Sequence, residues 1–306
     1  MSSLIEQAAR RLEQLKRAGV EIAAVSATGV LNTTQQSVAS PVPVSAVVQP
    51  VQTITTSRSV EIDLNALAAA GIVSPNSPRS QIADQFRVIK RPLIANATGK
   101  GASVIHNGNL IMVTSALPGE GKSFTAINLA LSIATELDYT VMLVDADVAR
   151  PSILSRLGLP PGPGLLDLVV DESCDLSSVL LKTNIEKLTI LPSGTAHPRA
   201  TELLASDAMT RLVEDIGNRY SDRIIIFDSP PLLLTTESRV LAAHMGQIVI
   251  VVKAETTLQS DVRNALSTIE ACPVKLMMLN QATTSFKAGY GYGYGYGYGY
   301  GQEASN

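Results

Sequence analysis

The chain has no tryptophan and only four phenylalanines among its 306 residues. Its two cysteines, Cys174 and Cys272, form no metal-binding pattern and read as two buried, reduced thiols. There is no long basic block. With 24 Lys and Arg against 27 Asp and Glu, the formal charge is −3, which argues against nucleic-acid binding by bulk electrostatics. No uninterrupted apolar run reaches the ~20 residues needed to span a bilayer. The opening "MSSLIEQAARRLEQLKRAG" lacks the apolar core of a signal peptide. These absences set the expectation of a cytoplasmic protein. A hydrophobic fraction of 45% suffices for the core of one large α/β domain or two smaller ones.

Against this scarcity of aromatics, six of the eight tyrosines stand in one terminal run. "AGYGYGYGYGYGYGQEASN" alternates Tyr290, Tyr292, Tyr294, Tyr296, Tyr298 and Tyr300 with glycine. Period two would put the rings on one face of a strand, but alternating glycine makes a poor strand. Residues 288–306 therefore read as a disordered low-complexity tail. At the other end, Leu4, Ile5, Ala8, Leu12 and Leu15 recur at helical spacing, predicting an amphipathic helix over residues 1–23. Residues 24–57, rich in Ser, Thr, Val, Gln and Pro and nearly uncharged, read as a flexible linker.

From residue 58 to 287 the pattern is one domain. "LIMVTS", "VMLVDAD", "LTILP", "RIIIFDS", "QIVIVVK" and "VKLMMLN" are short apolar runs suited to strands buried on both faces. Helical stretches such as "SFTAINLALSIATEL" and "ATELLASDAMTRLVEDIGNRY" separate them. The alternation predicts an α/β fold with a mostly parallel central sheet and helices on both faces. In such folds ligands bind beyond the carboxyl ends of the strands.

The chemistry sits at three of those ends. "SALPGEGKSF" follows a strand and opens a helix, the context of a P-loop. Gly119 and Gly121 let backbone N–H groups turn inward around phosphate oxygens, at the positive end of the next helix. Pro118, Glu120 and Phe124 complete the loop. Lys122 is placed for the β and γ phosphates of ATP, and Ser123 for Mg²⁺. The next strand ends in Asp145 and Asp147, whose mutual repulsion a bound cation would relieve. Another ends in Asp228 after four bulky apolar residues, the form of a Walker B aspartate.

"SALPGEGKSF", "VMLVDADVARP" and "RIIIFDSPPLL", with the tyrosine-rich tail, resemble the bacterial tyrosine kinases, P-loop enzymes unrelated to the eukaryotic protein-kinase fold. Further stretches, including "SQIADQFRVIKRPLI" and "LPSGTAHPRATELLASDAM", are similar to the autokinases of exosortase and exopolysaccharide loci. The resemblance implies Mg·ATP as the phosphoryl source and Asp147 and Asp228 as metal ligands. It implies Asp145 as the residue that orients or deprotonates the attacking hydroxyl, and the six tail tyrosines as phosphoacceptors. Arg150 takes a supporting role, since Ala149 replaces the first of two arginines common at this point. Asp84, Arg87 and Lys90 (or Arg91) match, with two substitutions, a helix through which the family assembles into rings. The resemblance further implies a membrane-bound polysaccharide co-polymerase-type activator, recruitment to the inner face of the membrane, and a cognate tyrosine phosphatase. Chromosome-partitioning and septum-site ATPases share the fold and are the rival reading, with the tail as an interaction element. They carry a signature lysine where this chain has Leu117.

Overall fold

The computed structural model describes residues 57–74, 80–219 and 222–282. The expected N-terminal helix, the linker up to residue 56 and the tyrosine tail lie outside the described residues. Eight strands form one sheet: β1 (Arg58–Val60), β2 (Leu110–Ser115), β3 (Thr140–Asp145), β4 (Leu181–Thr183), β5 (Leu188–Leu191), β6 (Arg223–Asp228), β7 (Gln247–Lys253) and β8 (Val274–Asn280). Their order is β1-β4-β5-β3-β6-β2-β7-β8, and every neighbouring pair is parallel except β4 with β5.

Strand periodicity divides the core in two. Leu110, Met112, Met142, Val144, Ile225, Phe227, Ile248 and Ile250 point to one face, where the helix Asp207–Arg219 supplies Met209, Val213 and Ile216. Ile111, Val113, Val141, Leu143, Ile224, Ile226, Val249 and Val251 point to the other. There they meet the helices Gln81–Ala97 and Lys122–Ala134 through Phe86, Leu93, Ile127 and Leu131. Burying a side chain of this kind contributes about 1.5–3 kcal/mol. Both faces are thus covered, as continuous apolar runs require.

Three expectations need correction. The last run, β8, lies at the sheet edge and leaves Met277 and Leu279 exposed, because no further strand or helix covers its outer side among the described residues. The single helix expected across 200–220 is two, Ala200–Leu204 and Asp207–Arg219. Ser206 divides them: its hydroxyl accepts from Met209 N at 3.2 Å, starting the second helix. Of the two free cysteines, Cys272 is buried but Cys174 is only half-buried, with its sulfur 3.4 Å from the Ser178 hydroxyl.

Candidate active site

The P-loop leaves the carboxyl end of β2, in the inner part of the sheet between β6 and β7. Gly119 and Gly121 adopt φ of 80° and 98°, a left-handed region open to glycine at little cost. A Cβ on Gly121 would also collide with the Asn280 side chain. Helix Lys122–Ala134 starts immediately afterwards with no side-chain cap, so its first N–H groups stay available to an anion.

Glu120 does not face the opening. Its buried carboxylate accepts from Leu117 N at 2.7 Å and from the Thr257 hydroxyl, fixing the loop to the segment after β7. Two further anchors come from the end of β8. Asn280 Nδ2 donates to the Glu120 carbonyl at 2.9 Å, and Gln281 Nε2 donates to the Gly119 carbonyl at 3.3 Å. The backbone of the loop is therefore held from behind while its front stays open.

The three aspartates gather at the ends of β3 and β6, which are adjacent; Asp145 and Asp228 are cross-strand partners. Asp147 Oδ2 forms an ion pair with Lys122 Nζ at 2.6 Å, and its Oδ1 accepts from Arg150 N at 3.2 Å. Asp145 lies behind it, 1% exposed, with Oδ2 accepting from Ser152 N and Ile153 N at 3.0 Å each. Its Oδ1 has no hydrogen-bond partner, and neither has either oxygen of the fully buried Asp228. Burial pushes Asp145 up to about 6, against the two backbone N–H bonds and with the help of the Asp147 charge. Burial likewise pushes Asp228 up to about 7; the nearby Lys122 ammonium and Ser123 hydroxyl temper the shift.

Orphaned, buried carboxylate oxygens suit a cation. Among the described residues no group of three or more His, Cys, Asp or Glu could hold a metal by itself. A Mg²⁺ ion here would take Ser123, Asp147 and Asp228 as its protein side and draw the rest from phosphate oxygens and water.

In front of the loop lies a cavity of about 920 Å³. Pro118, Gly119, Gly121, Lys122, Ser123, Phe124, Asp147 and Arg150 line it. Asp145 and Asp228 sit behind its wall. The sequence reading missed Ser152, Arg156, Pro230, Pro231, Leu234, Thr235, Asn280 and Gln281, which also line it. One signal was available: Pro230–Thr235 and Asn280–Gln281 follow directly on strand carboxyl ends, where ligands bind.

Helix Gln81–Ala97 carries the residues expected at a subunit contact. Asp84 and Arg87 are exposed and paired to each other. Lys90 is not available to a neighbour and is corrected here. It is 3% exposed and clamps the far end of helix Lys122–Ala134, bonding Glu136 at 2.8 Å and the Ser132 carbonyl at 2.5 Å. Arg91, the alternative at this point, is 64% exposed.

The AAA domain family matches residues 108–281, more than half of the chain. Tyrosine-protein kinase YwqD of Bacillus subtilis is 30% identical over 206 residues, covering 67% of this chain and 83% of that protein. Tyrosine-protein kinase CpsD of Streptococcus agalactiae is 31% identical over 180 residues, 58% of this chain and 76% of that protein. Among solved structures, the chimerical protein CapA2B2 superposes with a TM-score of 0.57 at 28% identity, covering 72% of this chain and 93% of its own. The VpsO kinase domain gives 0.56 at 28% identity, covering 66% and 95%.

Proposed function

This chain belongs to the bacterial P-loop tyrosine-protein kinases, and from that premise we propose that it phosphorylates its own C-terminal tyrosine cluster, using Mg·ATP. One observation carries the reading. Lys122 and Asp147 line one P-loop cavity with the orphaned carboxylate of Asp228 buried behind them, and Asn280 and Gln281, nine residues and more before Tyr290, line that same cavity. The described residues thus end beside the site that the acceptor tail has to enter.

In the transfer, a tyrosine hydroxyl oxygen bonds to the γ-phosphorus of ATP. The bond from that phosphorus to the β-phosphate oxygen breaks, and its electron pair leaves with ADP. P-loop N–H groups and Lys122 hold the phosphates, which requires Lys122 to exchange Asp147 for phosphate. Ser123, Asp147 and Asp228 would hold Mg²⁺, which supplies charge neutralisation on the phosphates when bound. Asp145, with one carboxylate oxygen uncommitted, is assigned the phenol proton. Arg150 supports the loop carrying Asp147. Glycine between the tyrosines removes side chains that would clash in a narrow acceptor groove and lets any of the six enter.

Transfer in trans within a ring is the arrangement proposed, with Asp84, Arg87 and Arg91 on the subunit contact. The tail's twelve Gly-Tyr residues extend at most ~40 Å, enough to reach a neighbouring site. Among the described residues no helix is long and apolar enough to cross a membrane. On the family premise we assign recruitment to the cytoplasmic face of the membrane to a polysaccharide co-polymerase-type partner, with the N-terminal helix as the docking element. A role in exopolysaccharide synthesis or export, and removal of the phosphates by a cognate tyrosine phosphatase, follow from the same family premise.

The rival function, an ATPase switch with a sticky tail, separates cleanly. Replacing the six tail tyrosines by phenylalanine abolishes phosphate incorporation under the kinase reading and leaves ATP binding intact. A tail that acts by stickiness retains its effect after the change.

A further inference from the structure

The segment after β6 reads "DSPPLLLTTE" and contains three consecutive leucines with three different fates. Leu232 is fully buried, and Leu233 packs partly against the core. Leu234 is 62% exposed and lines the P-loop cavity. Of the large apolar side chains exposed among the described residues, Leu234 alone lines that cavity.

The backbone that displays it is fixed. The Thr114 hydroxyl donates to the Pro230 carbonyl at 2.8 Å, and Leu232 N donates to the Ser115 carbonyl at 2.8 Å. Arg239 Nε donates to the Leu232 carbonyl at 3.1 Å. An apolar side chain that the core does not use is thus held rigidly at a polar site. Beside it, Arg156 lines the cavity and is exposed, with no side-chain hydrogen bond or ion pair among the described residues.

The position along the sheet says what this end of the cavity is for. The argument rests on the nucleotide placement proposed above. Lys122, Asp147 and Asp228 mark the terminal phosphate, at the ends of β2, β3 and β6. Asn280 and Gln281 line the cavity on the other side, at the end of β8 two strands from β2, and the nucleoside is assigned to that side. In-line attack on the terminal phosphorus must then come from the side away from the nucleoside. That side carries Pro231, Leu234 and Arg156.

We propose that Pro231, Leu234 and Arg156 form the subsite for the acceptor tyrosine, with the phenol ring packed on Leu234 and Pro231 and Arg156 facing the acceptor strand. A phenol suits such a place, apolar on its body and polar at its tip. Arg156 adds a consequence. In an extended Gly-Tyr segment the neighbouring tyrosine lies two residues, about 7 Å, away. Once that neighbour is phosphorylated, its charge of about −1.5 to −2 is attracted by the guanidinium. Transfer of one phosphate thereby favours transfer to the next tyrosine.

The test uses the full chain with its six tail tyrosines changed to phenylalanine, so that an added Gly-Tyr-Gly-Tyr-Gly peptide is the acceptor. Leu234→Ala should raise the peptide KM about 10-fold with the ATP dissociation constant unchanged, and Leu234→Met should restore it. A singly phosphorylated peptide should have a lower KM than the unmodified one, and Arg156→Ala should erase that difference. An unchanged peptide KM in both Leu234→Ala and Leu234→Asp, in a chain that phosphorylates the peptide, overturns the subsite and leaves the kinase reading standing. A wild-type chain that binds Mg·ATP and modifies neither its own tail nor the peptide overturns the kinase reading and the subsite together.

Discussion

At the scale of single residues, the site is a set of charges that do not balance without a ligand. Lys122 is committed to Asp147, which leaves Asp145 and Asp228 buried with unsatisfied oxygens. Their folded-state values of about 6 and about 7 lie above the ordinary carboxylate value of 3.8. The stability associated with their neutral forms is fully present below that ordinary value, and it is lost as pH rises through about 6 and then about 7. The ligand-free protein should therefore melt at progressively lower temperature as pH rises between about 4 and 7. Calorimetry checks this, and Asp228→Asn should flatten the dependence. Adding Mg²⁺ with ATP at pH 8 should recover the lost melting temperature in the wild type and recover much less of it in Asp228→Asn. At Asp145 the prediction concerns rate: Asp145→Asn should lower kcat by about 10²-fold or more while ATP affinity is retained. Single-turnover kinetics separate the two effects.

At the scale of elements, helix Gln81–Ala97 divides its charges between two jobs. Lys90 is inward and bound to Glu136 and the end of helix Lys122–Ala134, so Lys90→Ala leaves the half-buried Glu136 with only the exposed Arg91, 3.6 Å away. It should cost about 3 kcal/mol, measured by urea unfolding. Arg87 and Arg91 are outward, and their alanine variants should stay within about 0.5 kcal/mol of wild type. If the ring contact is as proposed, Arg87→Ala shifts the assembled protein to a smaller species in sedimentation, with the monomer's melting temperature unchanged. The sequence showed the charges of this helix but not their directions. A helical pattern with lysine among polar neighbours gives no sign that one ammonium is turned in to close another helix. The same limit applies to the sheet. Five of the six apolar runs were legible because burial on both faces leaves a continuous signature; the sixth, β8, reads the same way although Met277 and Leu279 are exposed. β1 and β4 are three residues each, "RSV" and "LKT", with charged or polar residues in both, too short to show a period. The P-loop and the three aspartates could be read from type and spacing. Asn280, Gln281 and Leu234 carried only the weaker signal of lying at or just past strand carboxyl ends, with no motif to single them out.

At the scale of the whole molecule, the strand order turns a local motif into a device. β2 carries the P-loop within the sheet, β3 and β6 bring acid to one side of it, and β8 brings Asn280 and Gln281 to the other. Six phosphotyrosines would add about −9 to −12 charges, compared with −3 for the unmodified chain. Adjacent tails in a ring would then repel, and full phosphorylation should reduce assembly size at low salt, with the effect weakened at high ionic strength. Light scattering before and after phosphorylation reads this directly, and an unchanged size at low salt would contradict it. The claim on which all of this depends is transfer to the tail. Intact mass spectrometry of the purified full chain after incubation with Mg·ATP, beside Lys122→Met, tests it most directly. The account predicts a ladder of up to six phosphates in the wild type, confined to Tyr290, Tyr292, Tyr294, Tyr296, Tyr298 and Tyr300, and absent in Lys122→Met. ATP hydrolysis with no change in mass would contradict it.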